Sequence, residues 1–500
     1  MMALKLKNIV AVLVIAVFAS CTKDWLDVTS SSQIKAEDQF KSEAGFKDAL
    51  LGAYIGMTDK SLYSRDLTWN IVDLLAQQYA ALPNTGGSNS GTYSDVQKFN
   101  YRTALSMPQV DAMWNKQYNV IANINIELSY IEKNRGVLQS LNYTLIKGEL
   151  LGMRAFLHFD LLRLYGYGNL SGRQDVAGKL APPYVTEFTK AMTQQLSYAE
   201  TFALLNKDIT DALELLKQDP AYKEAGRPAD YYSGVNGDGF YDKRQQRMNY
   251  YAVKALEARV LLWQGGQDNM NKARAAAEEV INNSPARLVT SPASLSRDRV
   301  LSAEHLFGLN VTAFIDIVNP FLNANNVTDA GKKNSLYLSQ STAEQIYETS
   351  NINIGLADFR YNTLLQSQSA GRVPMKLWQV FSTTDVYNIM PLIRLPEMYY
   401  IAAEAYGKSS NTGKAVEYLN TVRRSRGILE DIPLNADQQR VFSELDKEYR
   451  KEFISEGQLF FYYKRLGKTT FPNLPSTITA NDRIYVLPYP DSEFEFGRVQ

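Results

Sequence analysis

Cysteine and histidine are nearly missing from this chain of 500 residues, which holds one Cys and two His. A single thiol excludes an internal disulfide framework. With only His158 and His305 beside it, in unrelated contexts, a metal site of zinc-binding spacing is excluded as well. His158 lies in AFLHFDLL, an apolar helical setting that predicts a packed ring. No Gly-rich phosphate loop, nucleophile elbow or metal-spaced cluster occurs. An excess of one charge is also lacking, since Lys+Arg and Asp+Glu each number 53. That balance argues against nucleic acid and against a polybasic membrane contact. On these grounds neither a cofactor nor a metal is expected, and the case for an enzyme is thin.

What is present is ample material for a large core, at 45% hydrophobic residues, and an abundance of tyrosine, 31 in all. Tyrosine joins a stacking face to a hydroxyl, which suits polar-ligand recognition as well as helix packing.

The N-terminus reads as a targeting segment. Lys5 and Lys7 form a basic region, and Ile9 to Phe18 is an apolar run too short for a mature membrane span. Small residues Ala19 and Ser20 then precede the lone Cys21. This order predicts a signal peptide over 1–20 and a flexible tether over 21–35, leading into a single domain over 21–500.

The chain is organised around Leu392 to Gly427. Pro396 suits a first helical turn, and Ala402, Ala403 and Ala405 let a partner helix come close. Gly407 is expected to stop that helix in a left-handed conformation, with a polar turn through Gly413. Ala415, Tyr418, Leu419 and Val422 share one face of a second helix, which ends at Gly427. The unit is a helical hairpin of tetratricopeptide type, and Met248 to Asn283 echoes its spacing. The fold class expected is therefore all-α, built of tetratricopeptide-like hairpins, with large irregular loops and a little β.

Other helices are expected at Glu43 to Met57, Leu67 to Tyr79, Met113 to Asn134, Leu145 to Tyr165, Tyr198 to Gln218 and Phe442 to Leu466. A strand is expected around Leu306 to Val311, and some strand character from Asp358 to Trp378. Pro83 to Tyr101 and Pro220 to Lys243 read as polar loops carrying aromatics among small residues. Arg154, Arg394, Glu404 and Glu456 stand where helical charges form buried ion pairs between hairpins.

Short pieces spread in order along the chain carry a resemblance. They are Cys21 followed by Asp24-Trp-Leu-Asp27, Gly52-Ala-Tyr54, Arg154-Ala-Phe156 and Leu164-Tyr-Gly166. Ala258-Arg259 before Gly265, Asp358-Phe-Arg360, Arg394 with Glu397, and Ala403-Glu-Ala405 follow. Arg423 to Gly427, Glu452, Glu456-Gly457, Arg465, Pro488 and Pro490 complete the set. In this the chain resembles the SusD/RagB family of Bacteroidetes outer-membrane nutrient-binding lipoproteins. Pro396 departs from the family's usual small residue, and Tyr462 and Tyr463 from its acidic residue and Leu.

The resemblance implies a lipidated Cys21, a place on the cell surface at the outer membrane, and a SusC-like TonB-dependent transporter as partner. It implies capture of an oligosaccharide or a peptide, without catalysis. Packed hairpins spend their apolar faces on one another, so recognition should fall to projecting loops. The expected ligand residues are Tyr79, Asn84, Tyr93 and Phe314, with Asn319 as a polar partner. The competing readings are an all-helical glycoside hydrolase or polysaccharide lyase, and a helical scaffold with no small ligand.

Overall fold

The computed structural model describes residues 36–83, 90–219, 233–323, 335–379 and 386–500. The chain enters through helix α1 (Glu43–Met57), whose Ser42 side chain accepts from the Gly45 N–H at its first turn. Helix α2 (Ser90–Gln97) follows, then α3 (Met107–Lys133) and α4 (Ser140–Tyr165). From Leu145 to Tyr165 nearly every side chain of α4 is buried, the charged Glu149, Arg154, Asp160 and Arg163 within ion pairs. Two glycines let its neighbours in. A Cβ on Gly148 would stand 2.7 Å from Leu216 Cγ, and one on Gly152 would stand 2.6 Å from Met248 Cγ.

Helix α5 (Tyr198–Leu216) begins with a complete capping box, in which Ser197 and Glu200 satisfy each other's backbone N–H groups. Helices α6 (Tyr250–Gln264) and α7 (Gln267–Asn283) form the first hairpin. Strand β1 (His305–Asn310) follows, then α8 (Gln340–Tyr347), the hairpin β2 (Leu365–Gln368) with β3 (Gly371–Pro374), and β4 (Ile389–Arg394). Strand β4 runs straight into α9 (Leu395–Lys408), which pairs with α10 (Thr412–Ser425), and α11 (Gln438–Glu452) and α12 (Gln458–Leu466) complete the array. Long helices pack on their successors, α3 on α4, α4 on α5, α5 on α6 and α6 on α7; α7 then meets α9, and α9 meets α10 and α11. β1 pairs antiparallel with β4, so among the described residues the sheets are two-stranded. The architecture is the expected one: mainly α, hairpin-built, with a little β.

Four local expectations are corrected. Leu67 to Tyr79 is a series of turns with helix only at Ile71–Leu75, and the reputed loop at Pro83 to Tyr101 contains α2. Gly407 lies inside α9, and the left-handed residue of that turn is Ser410 (φ 61). The long terminal helix is two, broken where Ser455 (φ 68) and Gly457 (φ 71) turn their N–H groups onto Asp73 at 2.7 and 3.1 Å. Gly457 also presses so close that a Cβ there would stand 2.6 Å from the Thr68 carbonyl oxygen.

The expected buried ion pairs are present. Arg154 forks onto Asp208, and Arg465 onto Glu404. Arg394 bonds Glu456, Glu452 and Glu304 at 2.6–2.8 Å, and Arg426 shares Glu304 and Glu452. Arg360 adds Asp358, Glu448 and Glu452, and Lys376 reaches Glu456 at 2.6 Å. Burial opposes ionising Glu452, yet Arg426, Arg394 and Arg360 outweigh it and hold the carboxyl well below the usual carboxylate range.

Candidate functional site

The aromatic residues expected to meet ligand are not exposed rings. Tyr93 sits on α2 with 5% of its surface exposed, edge-on to Phe321 at 5.5 Å, and Phe321 in turn meets Trp69. Phe314 is fully buried on the short helix Phe314–Val318, and its N–H donates to Asn388 Oδ1 at 3.2 Å. Tyr79 is 5% exposed, and its hydroxyl donates to Asp73 at 2.9 Å beside Ser455. Burial lifts the Asp73 carboxyl to about 7 against the N–H groups of Ser455 and Gly457 and the Tyr79 hydroxyl.

The premise of exposed aromatics is thus corrected for Tyr79 and Tyr93, and Phe314 is buried as well. The cause is α2: a helix in place of a loop turns Tyr93 inward. Asn319 is half-buried at the end of the Phe314–Val318 helix and accepts from Asn323 Nδ2. Asn84 and Cys21 lie outside the described residues, as do Tyr231 and Tyr232.

Sequence reasoning missed Arg65. It caps Tyr93, with its guanidinium 5.8 Å from the ring centroid, and its Nε and Nη2 hold Asp66 at 2.8 and 2.9 Å. Nη1 carries no hydrogen bond among the described residues, and the side chain is 18% exposed. Gln97 was missed as well; it ties the strand-like segment beside Tyr79 to α2 by accepting the Leu82 N–H and donating to Tyr79 and Ala80. Nothing in the sequence singles out either residue, because both act through partners distant in the chain or hidden by the missed helix.

A second concavity was not foreseen. A cleft of ≈ 960 Å³ opens between residues 99–103, the turn after α4 and the C-terminal segment. Its wall is strapped in place. Leu487 N–H donates to the Leu164 carbonyl, the Tyr101 hydroxyl to Ile484, and Arg173 grips both oxygens of Asp482 at 2.6 and 2.7 Å. Tyr489 packs between Trp114, Tyr165 and Phe494. Glycines 166 and 168, which flank the cleft residue Tyr167, were the only visible signal.

The array of packed hairpins, with its polar faces set off the repeat, defines a tetratricopeptide-like helical-repeat protein. Two family models match it, one described as starch-binding associating with outer membrane over residues 24–231, the other as the SusD family over 305–493. The chain belongs to the SusD/RagB family. No curated protein matches it. Among solved structures, a SusD superfamily protein from Bacteroides thetaiotaomicron is 24% identical with a TM-score of 0.71, over 92% of this chain and 99% of that one. A SusD-like carbohydrate binding protein from Bacteroides vulgatus is 17% identical (TM-score 0.68; 91% and 96% covered). Surface glycan-binding protein A from Bacteroides thetaiotaomicron, in complex with laminarihexaose, is 14% identical (TM-score 0.65; 92% and 99% covered). At these identities the likeness establishes the fold. Among the described residues no helix is long and apolar enough to cross a membrane.

Proposed function

We propose that this protein is a cell-surface lipoprotein, anchored at the outer membrane through Cys21, that captures an oligosaccharide and passes it to a SusC-like TonB-dependent transporter. The observation that carries this reading is the pair of family matches, one of them described as starch-binding and outer-membrane associated. The glycan-binding relatives of the same fold support it. A peptide is the second ligand class. The role is binding without turnover, and it needs no cofactor.

Ligand contact is assigned to the loop face. Arg65 Nη1 and the Asn319 amide offer hydrogen bonds to sugar hydroxyls there, and Asn84, between Tyr79 and Tyr93 in the sequence, is proposed as a further contact. Tyr79, Tyr93 and Phe314 support the face from beneath, so their loss acts by letting it sag. The test begins with a glycan array to find a ligand, followed by calorimetry on Arg65→Ala and Asn319→Ala. Each variant should lose about tenfold or more in affinity, roughly the worth of one charge-assisted or well-placed polar contact. Unchanged affinity in both would remove the site from this face, and new reducing ends during incubation would mark an enzyme instead. Cys21→Ala should move the protein from membrane to soluble fractions; retention at high salt in cells lacking the transporter would end the lipoprotein reading.

A further inference from the structure

The cleft beside the C-terminal segment begins just beyond α2, where its lining residue Thr103 donates to Asp95, and is used by nothing described so far. Its chemistry is uneven. The lining acid Asp482 shares Arg173 with Asp175, and Arg102 on the rim is paired with Asp491 at 3.0 Å. Two further lining cations, Lys179 and Arg483, are exposed and have no ion pair among the described residues.

The aromatic lining is uneven too. Tyr101 and Tyr165 are buried, with hydroxyls spent on the Ile484 and Val110 carbonyls. Tyr167 and Tyr489 are half-buried and Phe494 is 46% exposed, so these three present ring surface to the cavity. The Tyr167 ring is held by Arg173, whose guanidinium lies 5.5 Å from its centroid, and by its own N–H donated to Tyr198 at 2.6 Å. Walls strapped in this way change little on binding, and that lowers the entropic cost of gripping a flexible chain.

We infer that this cleft is a second binding site, for an anionic oligosaccharide whose carboxylates or sulfates meet Lys179 and Arg483 and whose rings lie against Tyr167, Tyr489 and Phe494. Flat rings beside hydroxyls suit the apolar faces and polar edges of sugars. Unpaired Lys and Arg in a concave wall attract anions more strongly than the same charges on a convex surface. The volume lies near the upper end for small-ligand pockets and admits a few linked sugars.

The site also lies far from where the chain enters. Phe40 stacks on Tyr130 and accepts from Asn134 at the C-terminal end of α3, whereas cleft residues 99–103 precede its N-terminal end. A helix of 27 residues puts about 40 Å between the two. The inference shares with the loop-face reading only its ligand class.

The experiment uses the full chain purified in detergent, with three probes: oligogalacturonate, neutral laminarihexaose, and a polyglutamate peptide of equal charge. Oligogalacturonate should bind the parent protein, and the Lys179→Ala/Arg483→Ala pair should weaken it tenfold or more. Tyr167→Ala should weaken it with little change in its salt dependence. Arg65→Ala and Asn319→Ala should leave it unchanged, so failure of the loop-face reading and failure of this one are told apart. No binding of oligogalacturonate, or binding indifferent to the cleft variants, overturns the proposal. Tighter binding of polyglutamate than of the sugar at the same residues overturns it in favour of a peptide site.

Discussion

His158 shows how much one side chain in this core is constrained. It stacks on Tyr184 at 4.0 Å between centroids, and its Nε2 lies 3.1 Å from the Val185 carbonyl oxygen. Burial lowers its pKa from 6.5 to about 3, and the nearby Arg154 adds to the effect. The folded state therefore holds a neutral ring where the unfolded chain takes a proton. Stability is fully present above about pH 6.5 and is lost as pH falls toward 3. Between pH 6.5 and about pH 5 the loss should reach about 2 kcal/mol. Unfolding free energies of the parent and of His158→Phe at both pH values check this, since the variant should show a shallower slope. Equal slopes would mean that the ring is charged in the fold.

That packed histidine was legible from its apolar neighbours, as were the buried Arg154, Arg394, Glu404 and Glu456. Their partners were not, because Asp208, Glu304 and Glu452 lie far away in the chain and any of many acids would have served. The ring of Tyr93 was misjudged for a different reason, since its burial follows from α2 and Phe321 and not from its own neighbours.

At the scale of elements, the hairpin of α9 and α10 is the unit most readable from sequence, because periodicity and small residues mark it locally. Ala403 has no exposed surface and sits on α9, which α7, α10 and α11 all touch. Ala403→Trp should overpack that contact at a cost of about 1–3 kcal/mol or more, read as a fall in melting temperature. An unchanged melting temperature would place the side chain in solvent. The boundaries of α1 and β1 were also close to legible. The break between α11 and α12 was not. Their apolar pattern runs on continuously, and only the arrival of Asp73 from the other end of the chain rewards a kink. Helix α2 was hidden by glycine, serine and asparagine, residues that favour loops unless packing overrides them.

At the scale of the molecule, the buried charges around Glu452 join β1's approach, β4, α10 and α11 into one body. Glu452 takes bonds from Arg360, Arg394 and Arg426. Glu452→Ala leaves three buried guanidinium groups short of a carboxylate, which should cost on the order of 3–5 kcal/mol in denaturant unfolding. A midpoint like the parent's would show that the remaining acids suffice. The two recognition surfaces belong to this scale also, and they were legible only in part. The family's loops could be placed from sequence, whereas the cleft depends on a C-terminal segment whose docking no local pattern announces.

The same cluster sets an order of events in time. All its charges come from positions 304 to 456, while α1 to α7 are joined mainly to neighbours along the chain. A growing chain can assemble those first seven helices as they appear, but Glu304 then stays without Arg394 and Arg426 until β4 and α10 exist. The protein thus matures in two beats, a gradual local build-up and a single late closure.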